Sequence, residues 1–458
     1  MIGCSEDNLY NRVSLMAKRI LIMGSFDTKA NELTFLRERV TELGFEAVCM
    51  DTSMGRESTV KVEIGSNEVS TAAGVPVSEI RGSSDTRWAT EVMAKGGAKI
   101  VLDLHGKKRL DGIVAIGGAS NTGLSTRIMG ALPFGVSKVM VSSMAAVPAY
   151  AGSYFGTKDI TMIHSVVDIA GLNPLLKSVL ARAAAAVCAM ADSGGATSLC
   201  GSEKGRTRVA ITEFKFSEVC SRAAAQALST AGCEVLCFHA QGLGDRAMEE
   251  LIEQGLIDAV LDLVPGGIAE ELLGGNRGAG PQRLEAAGRM GIPQVLTPCG
   301  FDMLSCGPIE RRDRSDALWT CRDLASRKLF IPDALRVQAR TSAEEGTLIA
   351  DTVADKLLAA KGDWRFLIPL KGWSSLSEKG APLFDPAADE AFTRRLKVRV
   401  EGDRNLRILD LALNTEEFGN IAAETLLSMI KLPTGIERTE GVGNISATKM
   451  AKGANAGS

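Results

Sequence analysis

Histidine is almost absent from this chain, with three in 458 residues at His105, His164 and His239. None stands in an HxH or HxxxH arrangement, which argues against a zinc site of standard spacing. The ten cysteines stand singly without a CxxC pair, so no disulfide framework is encoded and reduced thiols are expected. Cys49, Cys233 and Cys237 fall in apolar runs, where cysteine behaves as a small hydrophobe. Basic blocks are missing beyond Lys107-Lys108-Arg109 and the net charge is −3, which argues against a nucleic-acid partner. No apolar run approaches the roughly 20 residues that span a bilayer, so no membrane partner is expected. Residues 1–15 lack the charged-then-apolar build of a signal peptide. The expectation is a cytoplasmic protein whose folded chain starts at Met16, with 1–15 and 431–458 as flexible termini.

Glycine and short apolar runs are what the chain has in quantity. An aromatic share of 5% beside 48 glycines and 45% apolar residues fits buried parallel sheets joined by tight turns. The length suits two domains of about 200 residues each better than one core. Ile20-Leu21-Ile22-Met23, ending at Gly24, reads as a strand buried on both faces. Leu33, Leu36, Val40 and Leu43 then recur at helical spacing before a strand at 47–50, and this βαβ unit dictates a parallel sheet. Further strands are expected at 112–116 and 138–141, and a helix over 172–191 closes a first domain set at 16–191. Residues 192–206 have linker composition. From Arg208 the order strand, turn, helix, glycine, strand begins again, a weak internal repeat. It opens a second α/β domain set at 207–430, with strands at 259–263, 294–296 and 366–369 and helices at 343–360 and 416–430.

In open parallel sheets ligands bind outside the carboxyl ends of the strands, so the loops that follow them are the ones to inspect. In Gly24-Ser25-Phe26-Asp27-Thr28-Lys29, Gly24 permits a sharp turn and Asp27 or Thr28 can cap the next helix. Lys29 is a cation in a first helical turn, opposed by the helix dipole by about 0.3–1 kcal/mol unless an anion compensates; a solvated lysine is the plain alternative. Asp51-Thr52-Ser53 puts an acid at the second strand end, where dinucleotide folds bind ribose hydroxyls, but GxGxxG is absent. Gly117-Gly118-Ala119-Ser120-Asn121-Thr122 combines close backbone approach with donors from Ser120, Asn121 and Thr122 at a helix start. It lacks the GKT ending of a Walker loop. Ser142-Ser143 ends the next strand, so two donor-rich turns face one crevice and suit a polyphosphate, with ordinary tight turns as the alternative. Arg87 can clamp phosphate or stack on a base, or pair with Asp85 or Glu91. Asp168, between Val167 and Ile169, is a costly buried charge unless it caps a helix, pairs or touches a ligand, capping being favoured. In the second domain His239 stands at a strand end as the candidate catalytic acid or base. Cys299 is a weaker candidate nucleophile, with no histidine tied to it. No residue is assigned to a metal.

These loops, with Gly156-Thr157-Lys158-Asp159, Ser165 through Asn173, Phe238-His239-Ala240-Gln241-Gly242-Leu243-Gly244, Gly278 through Ala287 and Pro369-Leu370-Lys371-Gly372-Trp373-Ser374, resemble a microbial family that shares the ATP-binding domain of the tomato mosaic virus resistance protein. The likeness runs from Met16 to Ile430. It implies two Rossmann-like subdomains facing a central cleft, ATP with magnesium (Mg2+) in the first, and a homodimer or higher oligomer. The family's ATP contacts map onto Lys29, Thr52, Arg87, the 117–122 loop, Ser142 and Ser143. The family's Gly-Gly loop usually continues Ser-Gly-Gly-Thr, replaced here by Ala119-Ser120-Asn121-Thr122. Histidines usual before Arg340-Thr341-Ser342-Ala343-Glu344-Glu345, and in a late His-Ile-Asn-Asp motif replaced here by Ala412-Leu413-Asn414-Thr415, are missing.

Three functions follow for weighing. An ATP-dependent or ATP-regulated enzyme of small-molecule metabolism would hold its substrate near His239 and Cys299. A nucleotide-binding module would regulate or inhibit a partner without catalysis. A sugar or phosphosugar sensor would need only two facing α/β domains. The donor-rich loops favour the nucleotide.

Overall fold

Two parallel sheets, wound in the same order, organise the chain. A computed structural model describes residues 17–194, 206–401 and 405–430. The termini 1–15 and 431–458, the expected start at Met16, and residues 195–205 of the expected linker lie outside the described residues. The first sheet contains β1 (Arg19–Gly24), β2 (Glu46–Asp51), β3 (Gly112–Gly117), β4 (Ser137–Ser142) and β5 (Thr161–His164), ordered β2-β1-β3-β4-β5 and parallel throughout. The second contains β6 (Arg208–Glu213), β7 (Glu234–His239), β8 (Ala259–Asp262), β9 (Gln294–Leu296), β13 (Trp364–Pro369) and β14 (Leu406–Leu409), ordered β7-β6-β8-β9-β13-β14 and again parallel. A small antiparallel sheet joins β10 (Met303–Ser305), β11 (Leu329–Phe330) and β12 (Gln338–Arg340).

Each apolar run forms a strand because successive side chains leave opposite faces and both faces are covered. Ile20 and Ile22 pack toward the helices Phe26–Glu42 and Pro174–Asp192, while Leu21 and Met23 pack with residues of the helices Thr86–Gly106 and Ala119–Gly130. The expected α/β class with two parallel sheets is what is found. The expected stop of the 172–191 helix shifts by one residue, to Asp192. This 19-residue helix is long and apolar enough to cross a membrane by length and composition. Its Leu176, Val179, Leu180, Ala183, Val187 and Cys188 are buried in the core of the first sheet, as in the core helix of a globular fold.

A buried ion cluster sets the carboxyl end of β8. Arg283, 1% exposed, reaches Asp245 (Nε to Oδ1, 3.0 Å), Glu249 (Nη1 to Oε1, 3.1 Å) and Asp262 (Nη2 to Oδ1, 2.8 Å). Burial opposes its charge, but the carboxylates of Asp262, Asp245 and Glu249 hold the guanidinium firmly cationic. The acids are also fixed by main-chain donors. Gly242 N–H donates to Asp245, and the Leu284 and Ala286 N–H groups donate to Glu249.

Asp245 and Glu249 stand four apart on the Leu243–Glu253 helix, one face of a helical turn. The same helix meets the first sheet's half. Thr157 Oγ1 donates to Glu250 Oε1 at 2.6 Å, Lys158 Nζ lies 2.6 Å from Glu250 Oε2, and Phe134 N–H donates to Gln254 just past the helix end. Asp159 meanwhile holds the buried Lys138 ammonium at 2.7 Å. The Gly156-Thr157-Lys158-Asp159 stretch is therefore a latch between the two halves.

Candidate functional site

A sheet ordered 2-1-3-4-5 reverses its winding between strands 1 and 3, and a crevice opens there at the carboxyl ends. In the first sheet that point lies between β1 and β3, where the loop after Gly24 faces the loop after Gly117. Hydrogen bonds tie the strand-end loops into one surface. Asp51, 1% exposed, accepts from Phe26 N–H (3.1 Å), from Ser53 N–H (2.9 Å) and from the Ser53 hydroxyl. Ser53 Oγ accepts from Asp27 N–H at 3.0 Å, and Asp27 Oδ2 accepts from Arg56 N–H at 3.2 Å. Asp51 is thus a brace, not a free acid for a ribose. Ser25 is the N-cap of the first helix and gives no side-chain bond; Asp27 and Thr28, expected as caps, lie inside the helix instead.

Thr52, fully buried, donates to Asn121 Oδ1 at 3.3 Å, and Asn121 Nδ2 donates to the Ile116 carbonyl at 2.5 Å. Gly117 is required there, since a Cβ would fall 2.6 Å from the Asn121 Cβ. Thr122 and Ser142, both buried, share a 2.7 Å hydroxyl contact, and Ser142 Oγ accepts from Met144 N–H. Thr52, Thr122 and Ser142 therefore build the floor beneath the surface. The rim belongs to Gly118, Ala119, Ser120 and Ser143: Ala119 and Ser120 are exposed, Gly118 and Ser143 half-buried. Gly118 is the N-cap of the Ala119–Gly130 helix without a side-chain cap, so the first-turn N–H groups have no partner from their own helix. The residues Ala119 and Ser120 that depart from the usual family loop thus stand on the solvent side of it.

Lys29 has non-helical angles (φ −126°, ψ 25°) inside its helix, and its ammonium donates to the Ile169 carbonyl. It makes no ion pair among the described residues. Asp168 is exposed, and Oδ1 accepts from the adjacent Ile169 N–H at 2.8 Å. The expected helix cap falls to Asn173, which accepts from Leu176 N–H; the loop bulges outward, which removes the burial cost that the flanking Val167 and Ile169 implied. Arg87 is 89% exposed in a 3.3 Å pair with Glu91, while Thr90 on its helix reaches Met54 after β2. The structure thus gathers Asp27, Lys29, Thr52, Gly117, Gly118, Ser120, Asn121, Thr122, Ser142, Ser143 and Asp168 along one edge, with Arg87 on the helix that borders the β2 loop.

His239 stands apart. It ends β7, the edge strand of the other sheet, and is exposed. Cys299 is wholly buried, and burial with the nearby Asp302 charge pushes its thiol far above the ordinary range, the reverse of an activated nucleophile. Cys237, expected as a small buried hydrophobe, is exposed because β7 is an edge, whereas Cys49 and Cys233 are buried. Asn414, where the missing histidine motif would fall, accepts from Val219 N–H at 2.9 Å. Ser342 and Glu345 of the 340–345 motif form a capping box, and Glu345 pairs with Arg322 and Arg327. Arg283, Glu270 and Arg277 escaped sequence reasoning. The acids four apart at 245 and 249 were the available signal for the first; nothing local marks the other two.

Among the described residues no group of three or more His, Cys, Asp or Glu side chains could hold a metal ion. The N-terminal domain of the uncharacterised protein family UPF0261 matches residues 18–195, and its C-terminal domain matches residues 206–430. A UPF0261 protein of Clostridium tetani is 36% identical over 418 residues, 91% of this chain and 100% of that protein. One of Mesorhizobium japonicum is 31% identical over 89% of this chain and 98% of its own length. The ToMV resistance protein Tm-1(GCR237) of Solanum lycopersicum is 29% identical over 90% of this chain and 56% of its own length. With both domains matched in order and full-length relatives aligned end to end, the chain belongs to the UPF0261 family.

Proposed function

We propose that this protein binds ATP, with the phosphates at the first turn of the Ala119–Gly130 helix. The observation that carries the reading is the uncapped Gly118 start of that helix at the β1/β3 reversal, beside exposed Ser120. Free N–H groups and the helix dipole favour an anion there. Lys29 supports it, since among the described residues its cation is held by a neutral carbonyl alone and can turn to a phosphate. Magnesium would come with the phosphates, needing only one or two carboxylates beside them. Asp27 and Asp168 are the carboxylates of these loops suited to it, each accepting from one main-chain N–H, whereas Asp51 Oδ1 accepts from three donors. The reading is of binding without acid–base turnover, which the exposed edge position of His239 and the buried Cys299 favour. Oligomerisation belongs to the same reading, and sedimentation with and without ATP checks it.

Nucleotide released from freshly purified protein by denaturation, identified by mass spectrometry, tests the ligand. ATP with magnesium at a hundredfold excess over Kd should add about 2.7 kcal/mol of stability. Gly118→Asp tests the site. Its Cβ would meet Ser143 Oγ at an ordinary 3.7 Å, and aspartate is a good N-cap, so the fold should hold while the carboxylate repels phosphate. A variant whose melting temperature responds to ATP as wild type does would refute the assignment.

A further inference from the structure

The second sheet repeats the winding of the first, so its reversal falls between β6 and β8. A cleft of about 10 Å³ lies there, lined by residues that follow four strands: Phe214 after β6, Ala240 after β7, Gly266 and Gly267 after β8, and Gly300 after β9. That volume is about one water's, so a single ligand oxygen enters the cleft and the rest of the ligand stays at its open mouth. Gly266 and Gly300 bring their backbones together, a Cβ on Gly300 falling 2.8 Å from the Gly266 Cα. Two ionisable side chains complete the lining, Glu270 and Arg277. Glu270 is 5% exposed; Oε1 accepts from Ser305 N–H at 2.9 Å, while Oε2 lies buried beside Gly275 with no hydrogen-bond partner among the described residues. Arg277 is half-buried and makes no ion pair among the described residues. A buried carboxyl oxygen without a partner is an unusual cost in a native core.

We propose that this cleft is a second ligand site, in which Arg277 and Glu270 hold the carboxylate of a small organic acid. The guanidinium offers a planar fork of donors that matches a carboxylate. The protonated Glu270 donates to the ligand's other oxygen. Burial raises Glu270 to about 7 and lowers Arg277, and the attraction between the two offsets only part of each shift. A cation would face Arg277. The site lies in the other half of the chain from the proposed nucleotide loops and does not depend on them.

Calorimetric titration of the full chain with formate, acetate and glycolate, against chloride at matched ionic strength, tests the proposal at pH 6. At least one carboxylate should bind saturably where chloride does not. Arg277→Gln should weaken it at least tenfold, while Glu270→Gln, whose amide still donates, should stay within about threefold. Gly118→Asp should leave carboxylate binding unchanged, which separates this site from the nucleotide site. Equal heats from chloride, or an Arg277→Gln protein that binds as wild type does, would overturn it.

Discussion

Arg283 is surrounded by more negative charge than it can balance, three carboxylates around one guanidinium, all nearly or wholly buried. Removing one partner of a buried pair typically costs about 3–5 kcal/mol, because the other charge stays behind in low dielectric. Arg283→Ala should lose at least about 3 kcal/mol in urea unfolding, and a loss under about 1 kcal/mol would mean that the cluster relaxes into water. Glu270 makes the opposite kind of contribution. Burial raises its pKa from 4.5 to about 7, so between those values the folded chain keeps a proton that the unfolded chain has released. Its share of stability is present below about pH 4.5 and is lost as pH rises to about 7. The slope is at most about 1.4 kcal/mol per pH unit. Unfolding series at pH 5 to 7.5 should therefore show wild type falling relative to Glu270→Gln; parallel curves would show that the acid is already ionised in the fold.

The Leu243–Glu253 helix connects two tasks at the level of elements. Asp245 and Glu249 face the Arg283 cluster, and Glu250 faces Thr157 and Lys158 of the first half. Lys158 is 14% exposed and Glu250 33%, so the pair is partly shielded and worth about 1 kcal/mol with its hydroxyl bond. Glu250→Ala should leave each sheet intact and lower the coupling between the halves. Calorimetry is expected to show the wild-type transition broaden or split, and an unchanged single transition would assign the coupling elsewhere. Strands with both faces covered, β1, β3, β4, β6, β8 and β9, were legible because their apolar runs are continuous. The edge strand β5 was not: Thr161 and His164 at its ends are exposed, and the alternation is too short to stand out. The two- and three-residue strands of the antiparallel sheet carry no periodic signal at all.

Over the whole molecule the two sheets share one winding order but differ at their carboxyl edges. Ala119 and Ser120 face solvent on the first, while every residue from Leu261 to Glu270 is buried on the second. Hydrogen exchange with ATP and magnesium should accordingly slow in peptides covering 112–130 and 137–144 and leave 259–270 unchanged. Protection centred on 259–270 would place the nucleotide in the wrong half. The sequence alone determined the α/β class, the positions of most strands of the two parallel sheets and the loops that end them, because burial on both faces and glycine turns are local properties. Which of those loops stays open was decided only by tertiary packing. Asp51, Thr52, Thr122 and Ser142 look like ligand groups in the chain, yet neighbouring loops claim their polar atoms, and Lys29 is drawn to Ile169, 140 residues away. Hydrogen-bond partners brought from such distances leave no trace in local spacing, and the same is true of the unpaired oxygen of Glu270.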